Sequence, residues 1–268
     1  MLALASALGA VLYLIIGGFN VSVSPVSLIL AAVYAVIMIP YYLISVKVLS
    51  LGSLAVYSMF MMLGGMLIPF LYGVLFLDED ISHAKLVGCV LLTLFIVLQA
   101  IGQRTAEEAT EESNRGKQGL LLLLCICIFA VNGMTGVIAT VHQNQAQAVD
   151  EISFTVLSCS LTLAISLIAL GILLATRKRE KRLKDAATAL KPLPALLSLL
   201  IGGAMYTGNF LILLAANKVP ASVQFPLISG GTIALSALIC TTAFKEKLSV
   251  TEWVAVGGAF ASTFLFAF

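Results

Sequence analysis

GGMLIPFLYGVLFLDEDIS, residues 64–82, is an apolar run that ends on three acids and a serine. GGTIALSALICTTAFKEKLS, residues 230–249, repeats its shape: a glycine pair, some fourteen mostly apolar residues, then a charged cluster with Glu246 and Ser249. The echo extends upstream. SPVSLILAAVYAVIMIPYYLISVKVLSLGSLAVYSMFMMLGG precedes the first copy and KPLPALLSLLIGGAMYTGNFLILLAANKVPASVQFPLISGG the second, offset by 166 to 168 residues. Identity between the copies is low, so the correspondence rests on hydropathy and punctuation.

Composition sets the class. Hydrophobic residues make up 60% of the chain and charged residues 10%, against about 25% charged in a soluble domain. The charges are clumped, and the stretches between them match the roughly 20 apolar residues a helix needs to cross a ~30 Å hydrocarbon core. The chain reads as an all-α polytopic membrane protein with nine spans near 1–17, 25–46, 53–77, 84–101, 118–140, 151–176, 193–217, 220–244 and 250–268.

Helix punctuation supports these limits. Ser249-Val250-Thr251-Glu252 is a capping-box pattern, and Asp150 and Glu151 suit a helix start. Ser82 suits a cap, and Pro192, Pro194 and Pro220 suit first turns. The five cysteines all lie in apolar stretches and fit helix interfaces, with neither a disulfide framework nor a metal-ligand spacing.

Span counting turns the repeat into an inverted one. The copies begin in spans two and seven, and five crossings separate them, so the second copy enters the membrane from the opposite face. Inverted repeats are a common construction of secondary transporters. The division is a first repeat of four spans over 1–101, a solvated connector over 102–117 and a second repeat of five spans over 118–268. Lys and Arg set the orientation. With the basic loop TRKREKRLKDAATALKP, residues 176–192, in the cytoplasm, that side holds its seven basic residues with Lys47, Arg104, Arg115, Lys117, Lys245 and Lys247; the other side holds Lys85 and Lys218. By the positive-inside rule the N-terminus is inside and the C-terminus outside. No aromatic residue interleaves the charges of that loop, which argues against a nucleic-acid partner.

The chain resembles the EamA-type transporters of the drug/metabolite transporter superfamily. The matching residues are Pro69, Glu79, Ser82 and Gly88 in the first half and Glu246, Ser249 and Gly257 in the second. The resemblance implies a five-plus-five helix carrier of small metabolites or amphipathic compounds in the cell membrane, with no cofactor. It also implies a further span before Met1, since the first half shows four. Many members of the family have both ends in the cytoplasm, the reverse of what the charge count gives for the 176–192 loop.

No charged residue falls in the middle of a span. Glu79, Glu246, Asp150 and Glu151 lie at helix ends, where caps and loop charges are the plain reading. His83 and His142 flank spans near the aqueous boundary and read as solvated loop residues. Uncharged polar groups do sit at mid-depth: Tyr41 and Tyr42 in the second span, Tyr57 in the third, Asn132 in the fifth, Tyr206 and Asn209 in the seventh, Gln224 in the eighth. Singly, each is as consistent with interhelical glue as with a binding site. Together, with Tyr41 falling on Asn209 in the repeat, they are the expected lining of a small-molecule cavity. The expected function is a secondary transporter working by alternating access. The rivals are a non-transporting receptor or assembly subunit, which has no need of an inverted repeat, and a membrane-embedded enzyme, whose clustered catalytic groups the sequence lacks.

Overall fold

A computed structural model describes residues 2–51, 54–107, 115–176, 192–243, 245 and 248–267. Among them are nine α-helices and no strand: α1 (Leu2–Ile16), α2 (Pro25–Leu51), α3 (Leu54–Phe76), α4 (His83–Glu107), α5 (Arg115–Gln143), α6 (Glu151–Thr176), α7 (Pro192–Ala216), α8 (Ala221–Thr242) and α9 (Val250–Thr263), the last continued by a 3-10 turn, Phe264–Ala267. Seven of them, α2 to α8, are long and apolar enough to cross a membrane, which makes this a multi-pass integral membrane protein. The other two apolar helices are shorter: α1 has 15 residues, about 22 Å at ~1.5 Å per residue, and the run Val250–Phe266 is of the same class. Nine spans were expected; nine helices are present, and seven have the length.

Local chemistry explains the starts. Ser24 accepts the Ser27 N–H at 3.1 Å and Pro25 takes the first helical position of α2, where its missing N–H costs nothing. Ser82 accepts the Lys85 N–H at 3.2 Å and so caps α4. Asp150 caps α6 with one carboxylate oxygen on the Ser153 N–H and the other on the Ser153 hydroxyl. At α9 the capping box is complete, Ser249 and Glu252 each accepting the other's N–H. Of the connector expected over 102–117, residues 102–107 continue α4 and residues 115–117 belong to α5. Residues 108–114, the basic loop from 177 to 191, and Glu246 lie outside the described residues.

The chain forms two compact units, and neither is one half of the sequence. Unit 1 comprises residues 1–42 and 141–217; unit 2 comprises residues 43–140 and 218–268. In unit 1, α1 packs on α6 and α7, and α6 on α7, around Ala5, Ala10, Tyr13, Val156, Cys159 and Tyr206. The approach of α1 to α7 is close: a Cβ on Gly202 would stand 2.4 Å from that of Ala5. In unit 2, α3 packs on α8 and α4 on α9, with α3–α4 and α8–α9 contacts closing the group. Its core includes Met66, Phe70, Leu92, Ile96, Ile233 and Phe266. Here α3 and α5 meet through glycine, a Cβ on Gly64 falling 2.1 Å from the Phe129 carbonyl oxygen. Small residues at such crossings are what hold helices together in lipid, where apolar burial against another helix gains little over burial in acyl chains. Large apolar side chains accordingly face outward, among them Ile29, Leu75, Leu94, Ile168 and Leu235.

Candidate functional site

The polar groups of unit 1 gather into a seam between α1, α2, α6 and α7. Asn209 on α7 donates its amide to the Tyr34 hydroxyl on α2 at 2.7 Å. Tyr206, one turn earlier on α7, meets the Ser6 hydroxyl of α1 at 2.7 Å. Ser6 already gives its hydrogen to the Leu2 carbonyl, so it is left as an acceptor and Tyr206 donates. Thr162 on α6 lies beside Tyr206, and its own hydrogen goes to the Ser158 carbonyl. Tyr206, Ser6 and Thr162 are buried, as is Cys159. Tyr41 and Cys159 act electrostatically on Tyr34, which places them in the same neighbourhood. Two further α6 hydroxyls, Ser158 and Ser166, are buried without a hydrogen-bond partner. The seam therefore offers neutral donors and acceptors and no formal charge.

Three of the sequence-selected residues, Tyr41, Tyr206 and Asn209, fall in or beside this seam. Tyr42 is partly buried at the last residue of the unit 1 portion of α2. The other three belong to unit 2. Tyr57 donates to Ser45 at 3.1 Å, Asn132 donates to the Met61 carbonyl at 2.7 Å, and Gln224 is buried near the start of α8. The bonds of Tyr57 and Asn132 tie helices of their own unit together. Sequence reading missed Tyr34, Ser6 and Thr162, since a tyrosine, a serine and a threonine inside apolar runs carry no mark until the helices that face them are known. Tyr34 lies about two helical turns before the Pro40-Tyr41-Tyr42 segment, on the same face as Tyr41, and that spacing was the available signal.

Glu79 behaves as a cap. Its two carboxylate oxygens accept the Ala221 and Ser222 N–H groups, each at 2.8 Å, at the start of α8. Pro220 holds the N-cap position there with no side chain to offer. An acid at a helix N-terminus satisfies orphan amides and meets the positive end of the dipole.

His142 departs from the sequence expectation. It lies inside the last turn of α5, fully buried, with its ring stacked on Phe154 at 3.8 Å and Nε2 bonded to the Ser27 hydroxyl at 3.0 Å. The helix runs past the predicted end at residue 140, and that extension carries the histidine into the protein. No group of three His, Cys, Asp or Glu side chains that could hold a metal ion occurs among the described residues.

No family model matches the sequence, and no curated protein does. Solved structures do: 23 chains match, and one of them, a crystal structure described simply as that of a protein, aligns with 98% of this chain and 85% of its own length at a TM-score of 0.73 and 14% identity. At that identity the likeness is one of fold.

Proposed function

We propose that the chain is a secondary transporter of the EamA type that moves a small organic metabolite or amphipathic compound across the membrane by alternating access. The observation that carries this reading is how the helices pair. Helix α9 begins 167 residues after α4, at 250 against 83, within the offset of the two sequence copies. Helices equivalent under that shift then pack on each other: α3 on α8 and α4 on α9. The Asn209–Tyr34 bond joins α2 to α7 in the same way, and α1 packs on α6, the helix in the corresponding place of the second half. Each unit is thus built from both halves of the chain. A twofold relation between halves of opposite orientation supports two inward- and outward-open states of similar energy, with the halves exchanging roles.

The polar seam of unit 1 supports a neutral or amphipathic solute. Tyr41, Tyr206 and Asn209, together with Tyr42, Tyr57, Asn132 and Gln224, are the proposed substrate-binding residues. The orientation proposed from charge places the 176–192 loop in the cytoplasm. The test is reconstitution into proteoliposomes with a panel of radiolabelled neutral amino acids, nucleosides and amphipathic drugs. A carrier shows saturable uptake and counterflow for a member of the panel, and Asn209→Ala and Tyr41→Phe lower it at least about tenfold, the loss expected when a buried polar contact worth about 1.4 kcal/mol is removed. Folded wild-type protein that moves nothing in the panel, or variants that transport like wild type, would contradict the reading.

A further inference from the structure

The α5–α6 link and the start of α2 are held together in unit 1 by Ser27, and the hydrogen-bond inventory of its hydroxyl fixes the state of His142. The Ser27 oxygen accepts the Val149 N–H at 3.1 Å and the Ser24 hydroxyl at 2.9 Å. With two lone pairs a serine oxygen accepts two bonds, so its own hydrogen is what remains for His142 Nε2, 3.0 Å away. Nε2 is then an acceptor, and in the neutral ring the hydrogen resides on Nδ1. That nitrogen is buried with no partner. Both Ser27 and His142 are fully buried, and Phe154 covers one face of the ring.

A second proton can enter this ring only at Nε2, the one nitrogen with a free pair of electrons in the neutral form. Once Nε2 carries hydrogen it no longer accepts from Ser27. The serine hydroxyl must turn away, and it can receive the new N–H only by giving up Val149 or Ser24. We propose that His142 is a proton-binding site, and that proton uptake at Nε2 undoes the Ser27 junction and releases the 144–150 link from the start of α2.

The charged groups at this end of unit 1 are two. Asp150 acts on the ring electrostatically, yet both its oxygens are engaged by Ser153. Glu151 accepts from Asn217. The 17–24 segment, the first turn of α2, the last two turns of α5 and the end of α7 before Lys218 carry no titratable acid or base other than His142. Ser22 is tied to the same end, its N–H donating to Ser153 at 2.9 Å, so the loosening stays within a serine-rich junction of the α1–α2 and α5–α6 links.

The chain has two histidines, which makes the test direct. In full-length His83→Gln protein in lipid nanodiscs, with labelled histidine, nitrogen NMR near neutral pH should show one imidazole with hydrogen on Nδ1 and an unprotonated Nε2. Acid should then give the doubly protonated ring. Over the same titration, amide exchange in the 144–150 peptide, corrected for its intrinsic rate, should lose about tenfold of protection for each unit the pH falls beyond the transition. Ser27→Ala should show the weakly protected state at every pH. His142→Gln should remove the acid step, which excludes protonation of Asp150 as its cause. An Nε2–H ring at neutral pH overturns the proposal, as does protection that ignores pH in the His83→Gln protein or an acid step that persists in His142→Gln. The NMR arm leaves residue 142 native, so it holds even where that variant fails to fold.

Discussion

Glu79 and Tyr206 are the two side chains whose partners most change what they mean. Glu79 is the middle one of three acids at the end of an apolar run in sequence; in the fold its carboxylate accepts two amides at the start of α8. Glu79→Gln keeps one accepting oxygen and should cost about 1 kcal/mol, while Glu79→Ala, which leaves both amides open, should cost about 1–2 kcal/mol; thermal unfolding in detergent reads the difference. Tyr206→Phe should destabilise unit 1 by about 1 kcal/mol, since it deletes the donor to Ser6 while leaving the ring that packs on Gly9. A Tyr206→Phe protein as stable as wild type would show that the bond exchanges freely with other partners. Residue identity at these places was readable. The partners were not: Ser27 and His142 are 115 residues apart, and nothing in the text of the chain joins them.

Among the elements, legibility was high wherever a cap or a proline marked a helix start. The starts read at 25, 151, 220 and 250 lie within one residue of those of α2, α6, α8 and α9. It was lower at helix ends, where Gln and Arg continue a helix beyond its apolar run, as α4 does to Glu107 and α5 does back to Arg115. That same continuation explains why His142 was placed in a loop. The glycines had no readable role until their neighbours were known. At the α3–α5 crossing, Gly133 would bring a Cβ to 2.5 Å from the Ile68 side chain and 2.6 Å from the Gly64 carbonyl, so the backbone clash stays even where the Ile68 side chain turns aside. Gly64→Ala and Gly133→Ala should each cost about 1–3 kcal/mol, read by thermal stability. Gly171→Ala, with nothing within 4 Å of the added atom, should be neutral or gain the helix preference of alanine, up to about 1 kcal/mol.

For the whole molecule, the sequence made the membrane class readable, because charges clumped between long apolar stretches mark spanning helices whatever the identity of the apolar residues. It did not show that the compact units would interleave the two halves, since residues 1–42 join 141–217 through contacts that no local pattern encodes. The central claim is that the two halves enter the bilayer from opposite faces, and labelling of single cysteines in an otherwise cysteine-free protein tests it most directly. Reporters at Asn20 and Lys191 precede α2 and α7, and those at Asp80 and Leu248 precede α4 and α9, pairs that the proposed repeat makes equivalent. In sealed vesicles an impermeant maleimide should reach one member of each pair from outside and the other only after lysis, with Asn20 and Asp80 on the outer side. Both members of a pair labelled from the same side would contradict the inverted repeat and the carrier reading with it.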